Sequence, residues 1–208
     1  MVLSAALGVS AWASAQETGD PLAPLTQPTL TDSDRRQLEA GALVIRDLAP
    51  SDPEGIGLVI MGLVDATPDR LWSVMADCAK QEEFLPRVSH STVRDRDGDR
   101  HICGLVVELP FPFEAARSET RQLVRRLPDG GYQRLWELAP GDWSYRRDSG
   151  SWSIHPYSGG QRSLLVNRMD LLFKSTLPGW VLRAAQTHEA PAMFEAIRLR
   201  VTVPAKER

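Results

Sequence analysis

Four histidines are the side chains of this 208-residue chain best suited to proton transfer near neutral pH, because the pKa of an unperturbed imidazole is about 6.5. His188 is the strongest candidate, since it shares one face of a predicted helix with Val181, Ala184 and Ala185. On an inward face, it could hydrogen-bond a ligand or act as a general acid or base. The alternative is a histidine on the helix surface, or one whose hydrogen bonds are satisfied within the core.

Other signatures of catalysis are missing from the sequence. It has no Gly-x-Ser-x-Gly nucleophile turn, no glycine loop that would cradle a phosphate and no His-Glu-x-x-His zinc pattern. Cys78 and Cys103 have no second Cys or His at zinc-ligand spacing. We therefore expect no metal and no cofactor. The two cysteines form either a disulfide or two buried free thiols, and the sequence leaves both open.

Composition indicates one ordinary globular domain and argues against a nucleic-acid partner. Hydrophobic residues make up 42% of the chain and charged residues 25%. The 24 basic and 27 acidic side chains give a formal net charge of −3. The chain therefore has no excess of positive charge with which to neutralise a phosphate backbone.

The first 15 residues are predicted to be a signal peptide. The run from Val2 to Ala13 is uncharged and apolar or small, and Ala13-Ser14-Ala15 has the small-x-small pattern that fits signal peptidase. No basic residue follows Met1, so a disordered Ala/Ser tail is the alternative. With this signal, we expect the protein to be periplasmic or secreted, where a disulfide persists.

Residues 16–54 are predicted to be a proline-rich leader with one short helix. Thr31 and Asp34 have the spacing of a capping box, which predicts a helix near Ser33–Ala40. A polar hinge follows the helix. The globular domain is then expected to occupy residues 55–208.

The domain opens with a buried strand and two short helices. Ile56–Val64 is a continuous run of β-branched and large apolar residues. Thr67 and Pro68 predict a helix start, because the threonine can accept from free backbone N–H groups and the proline needs no partner there. Asp77 predicts the cap of a second short helix that ends near Phe84.

Hairpin-type turns then separate about six further strands. A two-residue turn at Asp97-Gly98 would place His90 opposite Leu105. In the strand near Phe113–Arg126, small residues alternate with arginines, which cannot be buried without partners. The small set is therefore expected to face inward: Ala116, Ser118 and Thr120.

The alternation of inward and outward residues is clear in the last strand and ambiguous in the earlier strand that begins at Tyr132. The last strand is expected to turn Asn167, Met169 and Leu171 inward, because Arg168 and Asp170 fall on the other face. Tyr132–Leu138 is ambiguous, and either Trp136 or Leu135 points inward.

A long helix is predicted to close the fold, with apolar or small residues at spacings of three and four from Trp180 to Val201. Pro191 is expected to bend or divide it. The order of elements predicts an α+β domain: a curved antiparallel sheet of about seven strands wrapped around the C-terminal helix. Such a sheet can leave a cavity against the helix.

The chain resembles the START-like superfamily of helix-grip domains, also called SRPBCC, in two stretches. Residues 63–72, with Met75-Ala76-Asp77 and Phe84-Leu85-Pro86-Arg87-Val88, look like the first strand and paired helices. Residues 150–156 and 177–181, with the break at Pro191, look like the closing strands and terminal helix of START lipid-transfer domains. The resemblance implies a helix-grip fold and turns the His188 face of the terminal helix toward a cavity.

The predicted ligand site combines these inward residues with the terminal helix. Small side chains at Ala184, Ala185, Ala116 and Ser118 would leave the interior under-filled, and a ligand would supply the missing volume. The alternative is a dry core that tryptophan rings close. The predicted ligand-binding residues are Ala116, Ser118, Thr120, Trp136, Trp152, Asn167, Met169, Leu171, Trp180, Val181, Ala184, Ala185 and His188.

Three functions are consistent with the sequence. The preferred interpretation is binding or transport of a hydrophobic small molecule, such as a lipid, isoprenoid or polyketide, with transient membrane contact. The first alternative is a cyclase or aromatase in which His188 and Asn167 move protons. The second is a ligand-free module that binds a protein partner through an exposed apolar patch.

Overall fold

The computed structural model describes residues 28–109, 113–174 and 179–203. The predicted signal peptide and most of the leader lie outside these residues. Within α3, the terminal helix at Gly179–Thr202, the side chains of residues 179–182 and 185 also lie outside them.

Eight antiparallel strands form one sheet in the order β1-β2-β8-β7-β6-β5-β4-β3. The curved sheet, with helix α3 against its concave face, confirms the predicted helix-grip α+β fold. The strands are β1 Val44–Leu48, β2 Ile56–Val64, β3 Val88–Asp97, β4 Arg100–Val107, β5 Ala116–Arg126, β6 Tyr132–Leu138, β7 Tyr145–Tyr157 and β8 Arg162–Phe173.

The sheet begins one strand earlier than predicted. Strand β1 pairs with β2 from Val44↔Met61 to Leu48↔Gly57, so residues assigned to the leader belong to the sheet. Its pattern is weak because β1 is an edge strand: only Val44 is buried, and the strand includes charged Arg46 and Asp47.

Strand β2 is buried along its whole length, as its unbroken apolar run predicts. Its concave-face residues join the core beneath α3, and its convex-face residues join a second cluster beneath helix α1 (Asp32–Glu39). Gly62 faces α3, where an added Cβ would lie 2.6 Å from the ring of Phe194. The missing side chain lets that ring pack directly on the strand.

The short helices begin at the predicted caps. The Thr31–Asp34 capping box starts α1. Thr67 caps α2 (Pro68–Met75), and Asp77 caps the 3₁₀ helix Cys78–Glu83. Local hydrogen bonding by these residue types therefore fixes each helix start.

A disulfide joins Cys78 on the 3₁₀ helix to Cys103 on β4, with the two Cα atoms 6.1 Å apart. Both residues are fully buried. Of the two alternatives that the sequence left open, the structure therefore contains the disulfide.

The β3–β4 hairpin differs from its predicted register. Asp97 pairs with Arg100, so the turn is Gly98-Asp99, and His90 pairs with Val106. Two irregularities shift the register within β3: one lies between Arg94 and Asp97, where Asp95 has a φ of 49°, and the other lies between Val88 and His90, so that Val88 pairs with Val107. A β-bulge inserts a residue that alternation alone does not reveal.

No helix among the described residues is long and apolar enough to cross a membrane.

Candidate functional site

A cavity of about 240 Å³ lies between the concave face of the sheet and α3. The segment that follows the 3₁₀ helix forms a third wall. The lining residues are Gln81, Leu85, Pro86, Arg87, Val88, Leu105, Val107, Glu108, Leu109, Trp136, Tyr145, Asp148, Trp152, Asn167, Met169, Leu171, Gln186, Glu189, Ala190 and Met193.

Gly150 on β7 shapes the sheet wall of this cavity. It pairs with Trp136, and an added Cβ would lie 2.6 Å from the indole ring. Because glycine has no side chain, the indole lies over β7 and its Nε1 donates to Oδ1 of Asp148 at 2.8 Å. The tryptophan therefore forms part of the wall instead of filling the cavity.

Asp148 is a partly buried carboxyl group on the cavity wall. Burial raises its pKa, while hydrogen bonds from Trp136 and Ser118 act in the opposite direction. Burial also raises the pKa of Tyr145, and the nearby charge of Asp148 adds to that shift. The pKa values of this carboxyl group and this phenol are therefore both raised above their ordinary values.

Asn167 supplies a second polar group to the cavity wall. It lies on β8 opposite Trp152 of β7, and only 2% of its surface is exposed. Its side-chain Oδ1 is buried and has no hydrogen-bond partner. An unpaired buried polar group costs about 1–3 kcal/mol, so this amide is a site where a polar ligand atom would be stabilised.

An ion pair links the third wall to the helix. Arg87 Nε lies 2.9 Å from Oε1 of Glu189 on α3, and both side chains are partly exposed. Arg87 adopts a φ of 62°, and its carbonyl accepts a hydrogen bond from the backbone of Glu108 at 2.7 Å. These contacts attach the segment to both α3 and the end of β4.

A separate polar cluster fills the concave face beneath α2. Arg134 is fully buried, and its Nη1 donates to the carbonyl of Met75 at 2.9 Å. Burial lowers the pKa of Arg134 to about 10, while the charge of Asp77 acts to raise it. His101 contacts Gln122 at 3.1 Å, and burial, followed by the charge of Arg134, lowers the pKa of its imidazole. Neither Arg134 nor His101 lines the cavity.

Among the described ranges, no group of three or more His, Cys, Asp or Glu side chains could hold a metal ion.

The sequence profile of a protein family described as polyketide cyclase/dehydrase and lipid transport matches residues 64–198. The chain belongs to this family. The match spans more than half of the chain and includes β3 to β8 and most of α3. A comparison with curated proteins finds no significant match.

Solved structures of the same fold include a lipid transfer protein and an aromatase/cyclase. A STAR-related lipid transfer protein from Xanthomonas axonopodis is 14% identical, with a TM-score of 0.67 over 77% of this chain and 94% of that one. Human STARD10 is 13% identical, with a TM-score of 0.61 over 84% and 80%. The Zhui aromatase/cyclase from Streptomyces sp. R1128 is 15% identical, with a TM-score of 0.59 over 71% and 93%. These likenesses show the fold.

Within this family member, the cavity brings together five of the residues predicted from sequence: Trp136, Trp152, Asn167, Met169 and Leu171. The three small residues of β5 are buried, as alternation predicts, but do not line this cavity. Ala116 lines a neighbouring space of about 230 Å³. Ser118 hydrogen-bonds Asp148, and the Thr120 hydroxyl donates to the carbonyl of Cys103 at 3.4 Å.

The prediction that His188 and Ala184 face the cavity is wrong. Both residues are exposed. Successive helix residues are about 100° apart, so His188 points nearly opposite to Ala190, which is buried and lines the cavity. The side chains of Trp180, Val181 and Ala185 lie outside the described part of the chain.

Sequence reasoning missed Asp148 and the polar residues of α3. Alternation contains the signal for Asp148, because Trp152, Gly150 and Asp148 share one face of β7. No comparable signal marked Gln186 or Glu189, because charged and amide side chains on a helix ordinarily indicate its solvent face.

Proposed function

We propose that this protein binds a hydrophobic small molecule in the cavity between the sheet and α3. The observation that carries the proposal is an open cavity with mainly apolar walls and a few polar groups on them. Sites for small molecules ordinarily have this composition. Apolar area removed from water stabilises a bound ligand by about 25 cal/mol per Å².

Two features support a ligand in preference to a closed core. Trp136 and Trp152 lie along the walls, and Trp136 is held there by its hydrogen bond to Asp148. The cavity wall also includes Asn167, whose buried amide oxygen has no hydrogen-bond partner, and a closed apolar core would keep that oxygen unpaired at a cost. The name of the Xanthomonas relative, a lipid transfer protein, agrees with this proposal.

Native mass spectrometry of the protein purified without detergent tests the proposal. We expect a 1:1 complex with an added hydrophobic compound of about ten non-hydrogen atoms. The matched variants are Ala190→Leu, which extends into the cavity, and Ala184→Leu on the exposed face of the same helix. Binding should be lost only in Ala190→Leu. Equal binding by both variants would contradict the proposal.

The second candidate is an enzyme that cyclises or dehydrates a reactive chain held in the same cavity. The specific observation in its favour is Asp148, a carboxyl group on the cavity wall whose pKa is raised by burial, which is the direction of shift that a general acid needs. Asp148 and Tyr145 replace His188 as the groups that would move protons. The test is single-turnover conversion of a short poly-β-ketone, which should fall at least 100-fold in Asp148→Asn if the protein is an enzyme.

We also propose that the chain is exported through cleavage after Ala15. The Cys78–Cys103 disulfide supports export, because disulfides persist in oxidising compartments. Expression of the full sequence in a bacterium should yield a periplasmic product that begins at Gln16. A cytoplasmic product with residues 1–15 intact would contradict export.

A further inference from the structure

Among the described lining residues, Asn167 alone has a buried side-chain polar atom without a hydrogen-bond partner. Its Oδ1 has no hydrogen-bond partner, and the residue exposes 2% of its surface. Its strand neighbours in register are Ile60 of β2 and Trp152 of β7. A primary amide carries both an acceptor and donors. A ligand hydroxyl offers one donor and two acceptor lone pairs, and therefore matches this amide in either orientation.

The charges on the cavity wall disfavour an anionic ligand. Arg87 is the only cation among the described lining residues, and it is already paired with Glu189 at 2.9 Å. The remaining ionisable lining groups include the carboxyls of Asp148 and Glu108. A carboxylate or phosphate would lose its hydration without gaining a free cation, and such desolvation is costly.

The volume of the cavity limits the size of the ligand. A space of about 240 Å³ corresponds to roughly eight water volumes of about 30 Å³ each. It lies below the approximate range of 300–1,000 Å³ for sites that hold drug-sized compounds. The space suits one medium-length chain or two fused rings, and a two-chain phospholipid would extend outside it.

The polar groups lie at separate places along the cavity. Asp148 is four residues from Trp152, the register partner of Asn167, which places the two polar groups about 13 Å apart along β7. Trp152 also contacts Phe194, with ring centroids 6.1 Å apart, so Asn167 lies next to the packed core. A ligand with one polar end can reach Asn167 while its apolar part lies along Met169 and Leu171.

From these observations, and resting on the binding function proposed above, we propose that the ligand is a small uncharged amphiphile, an alcohol or phenol of about ten non-hydrogen atoms. Its hydroxyl group hydrogen-bonds the amide of Asn167.

Three naphthalene derivatives of similar shape test this inference by isothermal titration calorimetry at pH 7. 2-Naphthol carries a hydroxyl group, 2-methylnaphthalene carries none, and 2-naphthoate carries a charge. We expect 2-naphthol to bind at least tenfold more tightly than 2-methylnaphthalene, and 2-naphthoate to bind most weakly. 1-Octanol and octanoate should show the same order, which extends the test from phenols to alcohols.

The variant Asn167→Leu has nearly the same volume and lacks the amide. It should remove the preference for 2-naphthol while leaving the affinity for 2-methylnaphthalene within about twofold. If circular dichroism shows that Asn167→Leu does not fold, Asn167→Asp replaces it. That variant keeps an acceptor, so it should still prefer 2-naphthol and should discriminate more strongly against 2-naphthoate.

The outcomes separate this inference from the binding function. If 2-methylnaphthalene or 2-naphthoate binds as tightly as 2-naphthol, the cavity binds ligands but the hydroxyl inference is overturned. An unchanged preference in Asn167→Leu also overturns it. If none of the five compounds binds, the binding function fails and the inference fails with it.

Discussion

The two halves of α3 pack differently against the same sheet. Phe194, Ile197 and Val201 of the C-terminal half are buried in a packed core with β2 and α2. In the other half, Ala190 and Glu189 line the cavity. The C-terminal half of α3 therefore closes the interior against the sheet, and the other half leaves a cavity there.

Side-chain size at the helix face accounts for the difference. In the closed half, Gly62 admits the ring of Phe194 against β2, and the ring fills the available space. In the open half, the fully buried helix residue at the cavity is Ala190, which contributes only a methyl group, while Gly150 on the sheet leaves room for the ring of Trp136. The curved sheet leaves space along the whole of α3, and the volumes of the side chains decide where that space remains empty.

The largest effect should come from removing the side chain that closes the packed half. Phe194→Ala should lower the free energy of unfolding by about 3–5 kcal/mol, because the ring is fully buried. The neighbouring change Met193→Ala should cost less than about 2 kcal/mol, since Met193 already borders the cavity. Urea unfolding of both variants measures the difference. Equal costs would show that Met193 at the cavity is packed as tightly as Phe194 in the closed core.

The disulfide should have the next largest effect, and it acts on the open half. Cys78 precedes the cavity wall at Leu85–Val88, and the bond to Cys103 closes a loop with a sequence separation of 25. A cross-link over such a loop stabilises the folded state by about 3 kcal/mol. The double variant Cys78→Ser/Cys103→Ser should therefore lose about that much stability in urea, and dithiothreitol should destabilise the wild type but not the variant. A wild-type stability that dithiothreitol leaves unchanged would contradict this prediction.

Filling the cavity should change binding more than stability. Ala190→Leu adds three carbons at the helix wall, and we expect it to weaken ligand binding at least tenfold while changing the free energy of unfolding by less than about 1 kcal/mol. Calorimetric titration and urea unfolding provide the two measurements. A loss of several kcal/mol would mean that the space is smaller than the structure indicates.

The smallest predicted effect is a pH dependence from Asp148. Burial raises its folded-state pKa above the ordinary value of 3.8, so the folded protein keeps this proton to higher pH than the unfolded chain. Its contribution to stability is greatest below pH 3.8 and is lost as pH rises through the folded-state pKa. The unfolding free energy of the wild type relative to Asp148→Asn should therefore fall with rising pH across this window. A relative stability that rises with pH would refute the shift.

Local chemistry made much of the fold predictable. The caps at Thr31, Thr67 and Asp77 and the apolar run Ile56–Val64 depend on neighbouring residues, and all are confirmed. Strand β1 was missed, because edge strands carry a weak apolar pattern.

The strand side of the site was also predictable, and the helix side was not. Alternation placed Asn167, Met169 and Leu171 on one inward face, which depends only on the period of two. On α3, small and apolar residues extended the apparent stripe as far as His188, which is exposed. In that half, the partly exposed side chains of Gln186 and Glu189 border the cavity, and Glu189 pairs there with Arg87.

The central claim is that the open half of the α3–sheet interface takes up a small molecule, and methionine methyl groups report on it directly. Met169 and Met193 line the cavity, whereas Met61 is fully buried in the cluster beneath α1. In the NMR spectrum of protein labelled with ¹³C-methyl methionine, added 2-naphthol should shift the Met169 and Met193 signals to saturation at one equivalent and leave Met61 unchanged. Unmoved Met169 and Met193 signals at saturating ligand would contradict the account.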